Sequence, residues 1–216
     1  MKVVPADVGT KINLAREIAL VYIDAFPEST AYYFPRKSRA RLEKLVEFGF
    51  EILLLLGAKA LIVEGTHGQV AAYCLYTKPN GRRIPFRGWL KVLTRAFCAA
   101  LLLSPRELGK LVASRVMFIR HVQLQDKLPK EGGRIASIAV SPKYQGKGLG
   151  SKLLAKALDE LHGFPVLLEV RTDNPSAQSL YLKHGFIKHG ITRDKLGQWD
   201  IMAKSVPAGA EDPAST

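Results

Sequence analysis

The sequence predicts a mixed α/β domain in which helices cover a central β-sheet, and two observations lead to this prediction. Segments with apolar residues at helical spacing alternate along the chain with short segments rich in Val, Ile, Leu and Tyr. Gly, Pro, Asn and Ser separate these segments. Because 216 residues suffice for one substantial core, we expect a single domain over residues 1–205.

The first half of the chain predicts a strand, two helices and a β-hairpin. Pro27 marks the end of the first helix, and Ser38 is a natural N-cap for the second. His67 and Gly68 provide the turn of the hairpin, which ends at Asn80. The predicted elements are a strand at residues 2–5, helices at 11–26 and 38–56, and hairpin strands at 58–64 and 69–77.

The second half begins with a helical insertion, segment 82–128, in which Ser104 and Pro105 separate two predicted helices. Residues 206–216 are rich in Pro, Ala, Gly and Ser and predict a flexible tail. The predicted elements are helices at 86–103 and 105–117, a strand at 134–140, a helix at 147–162, a strand at 166–170, a helix at 175–184, and strands at 186–190 and 198–204.

Composition excludes several classes of protein. The apolar stretches are too short to cross a bilayer, and no secretory leader is recognisable, so a cytoplasmic location is expected. Cys74 and Cys98 lie in apolar runs without metal-ligand spacing, which predicts buried free thiols. The net charge of +13 comes from basic residues spread along the chain, so charge alone identifies no partner.

The most informative motif is Gln145-Gly146-Lys147-Gly148-Leu149-Gly150, between a predicted strand and a predicted helix. Its glycines remove the Cβ atoms that would hold a ligand away from the backbone. The free N–H groups and the dipole at the start of the following helix favour an anion, and the lysine adds a positive charge. The loop therefore predicts a site for a pyrophosphate group.

Three alternatives compete with this interpretation. A P-loop requires Ser or Thr after Gly-Lys, whereas Gly148 follows Lys147 here. A dinucleotide-binding fold requires a glycine where this chain has Ser151, and its acidic ribose ligand, Glu169, would lie inside a strand. A glycine turn without a ligand is disfavoured by the conformational entropy that three glycines lose on folding.

Gln145, Gly148 and Gly150 fit a known signature: Gln or Arg, two arbitrary residues, Gly, one arbitrary residue, then Gly or Ala. A second match follows at the expected spacing and comprises Asn174, Ala177, Leu180, Tyr181, Gly185 and Phe186. Over these roughly fifty residues the chain resembles the GCN5-related N-acetyltransferases, the GNAT family. Segment 82–128 departs from the family pattern, in which this connection is short.

The resemblance implies acetyl-coenzyme A as cofactor and a mostly antiparallel sheet, in which strands 134–140 and 166–171 splay apart to admit the pantetheine arm. A backbone N–H on the first strand would polarise the thioester carbonyl. No metal is expected. The cofactor-binding residues expected from the loop and the resemblance are Ile138, Ala139, Val140, Gln145, Gly146, Lys147, Gly148, Leu149, Gly150, Ser151, Asn174, Ala177 and Tyr181.

Tyr181 is the candidate general acid. It lies seven residues after Asn174, so both face the same side of helix 175–184. The ordinary pKa of a phenol is about 10 and that of a thiol about 8.5, so the phenol must share its proton late or be acidified. Core packing of the ring is the alternative for Tyr181, and a plain helix N-cap is the alternative for Asn174.

Glu169 is the candidate base, because it interrupts the apolar run 166–170 and a desolvated carboxylate suits proton abstraction. Its neighbourhood, with Tyr181 twelve residues later, resembles the ribosomal-protein alanine acetyltransferases of the family. A salt bridge to Arg134 or Arg171 is an alternative role for Glu169, and a water chain is an alternative base.

We therefore expect an N-acetyltransferase, monomeric or homodimeric, that transfers acetyl to a primary amine of a small molecule or protein by direct attack. Its opening helices and segment 82–128 would line the acceptor side, with Tyr22 and Trp89 among the aromatic residues available. Many family members carry an acidic residue where this chain has Ala136 and Ser137, so an inactive CoA-binding regulatory module is the alternative.

A third hypothesis assigns segment 82–128 to docking on nucleic acid or an anionic membrane. Its first helix places Phe86, Leu90 and Leu93 on one apolar face with Arg87 and Lys91 alongside. Nucleic acid is not the partner we expect, since the basic residues form no single cluster.

Overall fold

A computed structural model describes residues 2–6, 13–66, 68–79, 84–125, 128–129 and 131–206. The strands within these residues are β1 (Val3–Ala6), β2 (Lys59–Glu64), β3 (Val70–Thr77), β4 (Gln123–Leu124), β5 (Gly133–Val140), β6 (Val166–Arg171), β7 (Ile187–Asp194) and β8 (Gly197–Lys204). The α-helices are α1 (Leu14–Ala25), α2 (Pro27–Tyr33), α3 (Arg39–Leu55), α4 (Phe86–Leu102), α5 (Pro105–Arg120), α6 (Leu149–Glu160) and α7 (Pro175–Lys183).

The predicted succession of strands and helices is confirmed, except that α2, β4 and a one-turn 3-10 helix at Pro142–Tyr144 were not predicted. Pro27 ends α1 as expected but also begins α2, because proline suits the first position of a helix. The two-residue strand β4 carries too little periodicity to be predicted. The predicted hairpin turn at His67, the hairpin end at Asn80 and the tail at 207–216 lie outside the described residues.

The strands form one sheet in the order β1-β2-β3-β5-β6-β8-β7-β4. Every neighbouring pair is antiparallel except β5 and β6, which are parallel and pair only at Gly133 with Val166 and at Arg134 with Leu167. Beyond these two positions the strands diverge. The predicted fold class, a mostly antiparallel sheet that splays between these two strands, is confirmed.

Two apolar clusters hold helices against both faces of the sheet, which gives three layers. On one face Leu153 and Leu154 of α6 are fully buried against the sheet. On the other face Ile18 of α1 and Phe50 of α3 pack against Tyr73 of β3. The sheet therefore has a core on each side, and α6 is held rigidly beside the point where β5 and β6 diverge.

The helical insertion is attached by α3 on one side and by α2 and β7 on the other. In α4, Arg95 forms an ion pair with Glu51 of α3 at 2.6 Å. Ser104 caps α5 as predicted: its hydroxyl accepts from the N–H of Glu107, whose carboxylate accepts from the N–H of Ser104. The same carboxylate forms a buried ion pair with Lys37 at 3.0 Å, which fixes the joint between α4 and α5.

Three further expectations from the sequence concern the N-cap at Ser38, the two cysteines and membrane-spanning helices. Ser38 stands at the N-cap of α3 with extended backbone, although its side chain makes no capping hydrogen bond there. Cys74 is a buried free thiol, as predicted. Cys98 is also free but only partly buried, because α4 buries little of its surface and Val92 is its one buried residue. No helix among the described residues is long and apolar enough to cross a membrane.

We predict that Leu153→Ala lowers the free energy of unfolding by about 2–5 kcal/mol, because it leaves a cavity under α6 where the leucine is 0% exposed. Leu182→Ala is the matched control, since that leucine is 58% exposed, and its cost is about 0.5 kcal/mol or less. Urea denaturation measures both values. Equal losses for the two variants would contradict the assigned core.

Candidate functional site

A cleft of about 950 Å³ opens where β5 and β6 diverge. Its walls are these two strands, the N-terminal ends of α6 and α7, and the junction between α1 and α2. Glu169 and all the predicted cofactor-binding residues except Lys147 line it. The Lys147 ammonium instead lies 5.3 Å from the centre of the Tyr144 ring.

The glycine loop forms one end of the cleft. Gly146 and Gly148 have φ of 74° and 70°, in the left-handed region that favours glycine. A Cβ built on either would meet no protein atom within 4 Å, so the space beside them is open. Gly150 differs, because its φ is not positive and a Cβ there would make an ordinary contact with Leu180 at 3.5 Å. Two of the three glycines are therefore required by backbone conformation.

The N-terminus of α6 faces the cleft without a side-chain cap. Its N-cap is Gly148, whose carbonyl accepts the first helical hydrogen bond, from the N–H of Lys152 at 3.1 Å. The N–H groups of Leu149, Gly150 and Ser151 precede that bond, so the helix itself offers them no acceptor. These donors and the positive end of the helix dipole form a binding site for an anion.

The free edge of β5 contributes backbone groups to the cleft. The N–H of Ser141 bonds to Ala71 of β3, and Ala139 is paired with Tyr73 of the same strand. Because bonding direction alternates along a strand, Ile138 and Val140 direct their backbone groups toward the gap. The Val140 carbonyl accepts from the Gln145 amide at 3.1 Å, which holds the loop against β5.

Tyr181 lines the cleft from the face of the sheet that α6 covers. Its ring is 5% exposed and packs edge-on against Phe186, with centroids 5.8 Å apart. Burial, with the nearby Cys74 adding to the effect, raises the pKa of the Tyr181 phenol above its ordinary value. The phenol is therefore not acidified, and late sharing of its proton is the remaining way for it to serve as an acid.

Asn174 serves as the N-cap of α7 and also lines the cleft. Its side-chain oxygen accepts from the N–H of Ala177 at 3.0 Å, so the predicted alternative of a helix N-cap is present. A cap uses the oxygen and leaves the amide nitrogen available, so this hydrogen bond does not prevent a contact with a ligand.

Glu169 lies on the opposite face of the sheet from Tyr181, because neighbouring residues of a strand point to opposite faces and Leu168 packs in the tyrosine's cluster. Alternate residues of β6 are buried, and the residues between them, Glu169 included, are half-buried. The carboxylate forms an ion pair with Arg134 of β5, one of the two expected partners. Arg171 instead pairs with Asp173.

Several lining residues were not predicted. Phe26 and Glu28 reach the cleft from the α1–α2 junction, and Trp199 reaches it from β8. The Trp199 indole N–H is buried without a hydrogen-bond partner among the described residues. The sequence carries no signal for Trp199, since the position of β8 beside β6 follows from strand order. Tyr22 lines the cleft as expected for the acceptor side.

The insertion does not line the cleft as expected: within residues 84–125 no side chain borders it, and Trp89 is 48% exposed to solvent instead. In the part of the chain that the structure describes, no three His, Cys, Asp or Glu side chains gather to hold a metal ion.

Comparisons with known proteins identify relatives of the region around the cleft. Residues 82–186 match the model of the acetyltransferase (GNAT) family. Over 59 residues the chain is 48% identical to N-alpha-acetyltransferase RimI of Mycobacterium tuberculosis, covering 27% of this chain and 37% of that relative. The chain therefore matches little more than a third of that relative's length.

Solved structures resemble the whole chain at low identity. A protein described as histone acetyltransferase HPA2 and related acetyltransferase, from Corynebacterium glutamicum, matches with a TM-score of 0.63 and 18% identity over 95% of this chain and 96% of that one. The yncA protein of Salmonella typhimurium, solved with its cofactor acetyl-CoA, matches with a TM-score of 0.55 and 19% identity over 99% and 98%. These likenesses establish the fold.

Proposed function

We propose that this chain, whose residues 82–186 match the model of the GNAT acetyltransferase family, transfers the acetyl group of acetyl-CoA to a primary amine. The observation that carries the proposal is the cleft between β5 and β6, with the uncapped N-terminus of α6 at one end. The residues present fit this cofactor, because open space adjoins Gly146 and Gly148 where a diphosphate would lie against the backbone.

When bound, acetyl-CoA supplies an acetyl group activated as a thioester. The first-turn N–H groups of α6 would hold its diphosphate, and the N–H of Ile138 or Val140 would polarise its thioester carbonyl. Transfer would form a carbon–nitrogen bond to the amine and break the carbon–sulfur bond. The nitrogen would lose one proton, and the sulfur would gain one.

In this proposal Glu169 and Tyr181 carry out these two proton movements. Glu169 accepts the proton of the amine on the face where Glu28 and Phe26 line the cleft. The ion pair with Arg134 of β5 holds the Glu169 carboxylate in place. Tyr181 keeps its phenolic proton and donates a hydrogen bond to the leaving sulfur from the other face, with the proton moving late.

An α-amino group of a polypeptide is the first acceptor to test, because the relative RimI is named an N-alpha-acetyltransferase. Small-molecule amines are the second class. The competing proposal is an inactive CoA-binding regulatory module, favoured by Ala136 and Ser137 on β5 and by the ion pair that engages Glu169. Binding of acetyl-CoA without release of CoA thiol across a panel of amines would support that alternative.

We predict that Gly148→Glu weakens acetyl-CoA binding by roughly a hundredfold or more, because it places a negative charge against the diphosphate. Gly57→Glu is the matched control, since Gly57 also has a positive φ and open space around its Cβ position. Isothermal titration calorimetry measures both affinities. An unchanged affinity of Gly148→Glu would refute the cofactor site.

Tyr181→Phe is expected to lower kcat by roughly tenfold to a hundredfold while the affinity for acetyl-CoA stays nearly unchanged, because it removes a donor used in the transfer step. Tyr76→Phe, at another buried tyrosine that does not line the cleft, provides the control. Steady-state release of CoA thiol measures kcat. A fully active Tyr181→Phe enzyme would remove the role assigned to the phenol.

Glu169→Gln should lower kcat/KM by roughly a hundredfold through loss of the base. Glu160→Gln, which removes the anion of the Lys78–Glu160 ion pair outside the cleft, is the control and should leave kcat/KM unchanged. A full rate for Glu169→Gln would assign the base to a water chain.

A further inference from the structure

The exposed apolar side chains of this protein are concentrated in the helical insertion, away from the cleft. Of the sixteen large hydrophobic residues that are exposed in the described part of the chain, twelve lie between Phe86 and Leu124. Exposed apolar residues that occur singly need no explanation, whereas a contiguous group marks an interaction surface. The insertion therefore carries a surface that the cleft does not use.

The apolar face of α4 points away from the protein. Val92 on the inner side is 7% exposed, whereas Phe86 and Leu101 on the outer side are 83% and 69% exposed. The spacing of the outer residues places them on one stripe along about 25 Å of helix. We name this stripe the outer face of α4; its residues are Phe86, Trp89, Leu90, Leu93, Phe97 and Leu101.

Helix α5 also exposes its apolar side chains, which are Leu108, Val112, Val116 and Ile119. Its buried side chains are the polar residues Glu107 and Ser114, which form contacts with Lys37 and Tyr33 on the protein side. Exposed apolar faces on two successive helices indicate that the medium facing them is partly apolar.

The exposed charges of the two helices are all positive. Helix α4 contains no Asp or Glu, and Arg87 and Lys91 are exposed beside its outer face. In α5 the one acidic residue, Glu107, is turned inward against Lys37, while Arg106 and Arg115 are exposed. An apolar stripe that is flanked by cations, with no exposed anion on either helix, complements a surface in which hydrocarbon lies beneath negatively charged groups.

We infer that the outer face of α4 docks the enzyme reversibly on a membrane that contains anionic lipids. The apolar stripe enters the boundary between headgroups and acyl chains, and Arg87 and Lys91 contact the lipid phosphates. Trp89 lies on the same stripe, at the depth that indole rings favour. This role is independent of acetyl transfer, because no described residue of the insertion lines the cleft.

Two other occupants fit the observations less well. A second copy of the chain packed on α4 would bring Arg87 and Lys91 of both copies together, and the helix has no acidic residue to offset them. Nucleic acid would engage the cations but would leave the exposed leucines and phenylalanines without an apolar partner.

Co-sedimentation of the full chain with vesicles tests the inference. We expect binding to phosphatidylcholine vesicles that contain phosphatidylglycerol to be roughly tenfold or more tighter than binding to phosphatidylcholine alone, and to weaken as salt is added. The emission of Trp89 should shift to the blue on binding. Trp89→Phe should remove most of that shift while binding is retained.

Matched variants separate the apolar and charged contributions. Leu90→Asp with Phe97→Asp should lower anionic-vesicle binding at least roughly tenfold, whereas Ile187→Asp, at a residue 56% exposed on β7, should leave it unchanged. Arg87→Glu with Lys91→Glu should lower it by a similar factor, whereas Lys59→Glu should not. Circular dichroism checks that each variant is folded.

Three outcomes would overturn the inference. The first is vesicle binding that is absent or equal for both lipid compositions. The second is a parent chain that forms a stable dimer and does not bind vesicles, together with a double variant, Leu90→Asp with Phe97→Asp, that is monomeric. The third is salt-sensitive binding to DNA or RNA that the apolar variants retain in full, with no binding to anionic vesicles.

Discussion

The divergence of β5 and β6 is the constraint on which the rest of the structure depends. Parallel strands normally pair along their length, but these two pair at two positions and then separate. The backbone groups of Ile138 and Val140 then face a gap, where buried polar groups require a partner. The cleft meets that requirement, because it is open and a ligand there can accept hydrogen bonds from the N–H groups that a neighbouring strand would otherwise accept.

The packing around the gap places the two residues proposed for proton transfer on opposite faces of the sheet. The cluster beneath α6 holds Tyr181 on one face, while Glu169 points to the other face, where it pairs with Arg134. In the proposed reaction the two side chains approach one bound group from opposite sides. Burial raises the pKa of the Tyr181 phenol, so it keeps the proton that its proposed role requires.

The helical insertion differs from the rest of the domain in where its apolar side chains lie. Elsewhere most apolar residues face the two cores, whereas α4 and α5 expose most of their large apolar residues, and α5 buries the polar residues Glu107 and Ser114. Buried hydrogen bonds and the Lys37–Glu107 ion pair hold these helices, so their orientation does not depend on covering the apolar side. The amphipathic pattern is visible in the sequence, but its direction is decided by the polar contacts.

The sequence alone predicts the mixed α/β class, most of the element boundaries, the cap at Ser104 and the glycine loop, because each depends on local backbone preference or short-range spacing. Three-dimensional packing sets the strand order, the entry of Trp199 into the cleft, the pairing of Glu169 with Arg134 and the direction in which Lys147 points. These features join residues far apart in the chain, and hydrophobic periodicity describes one segment without specifying which other segment it meets.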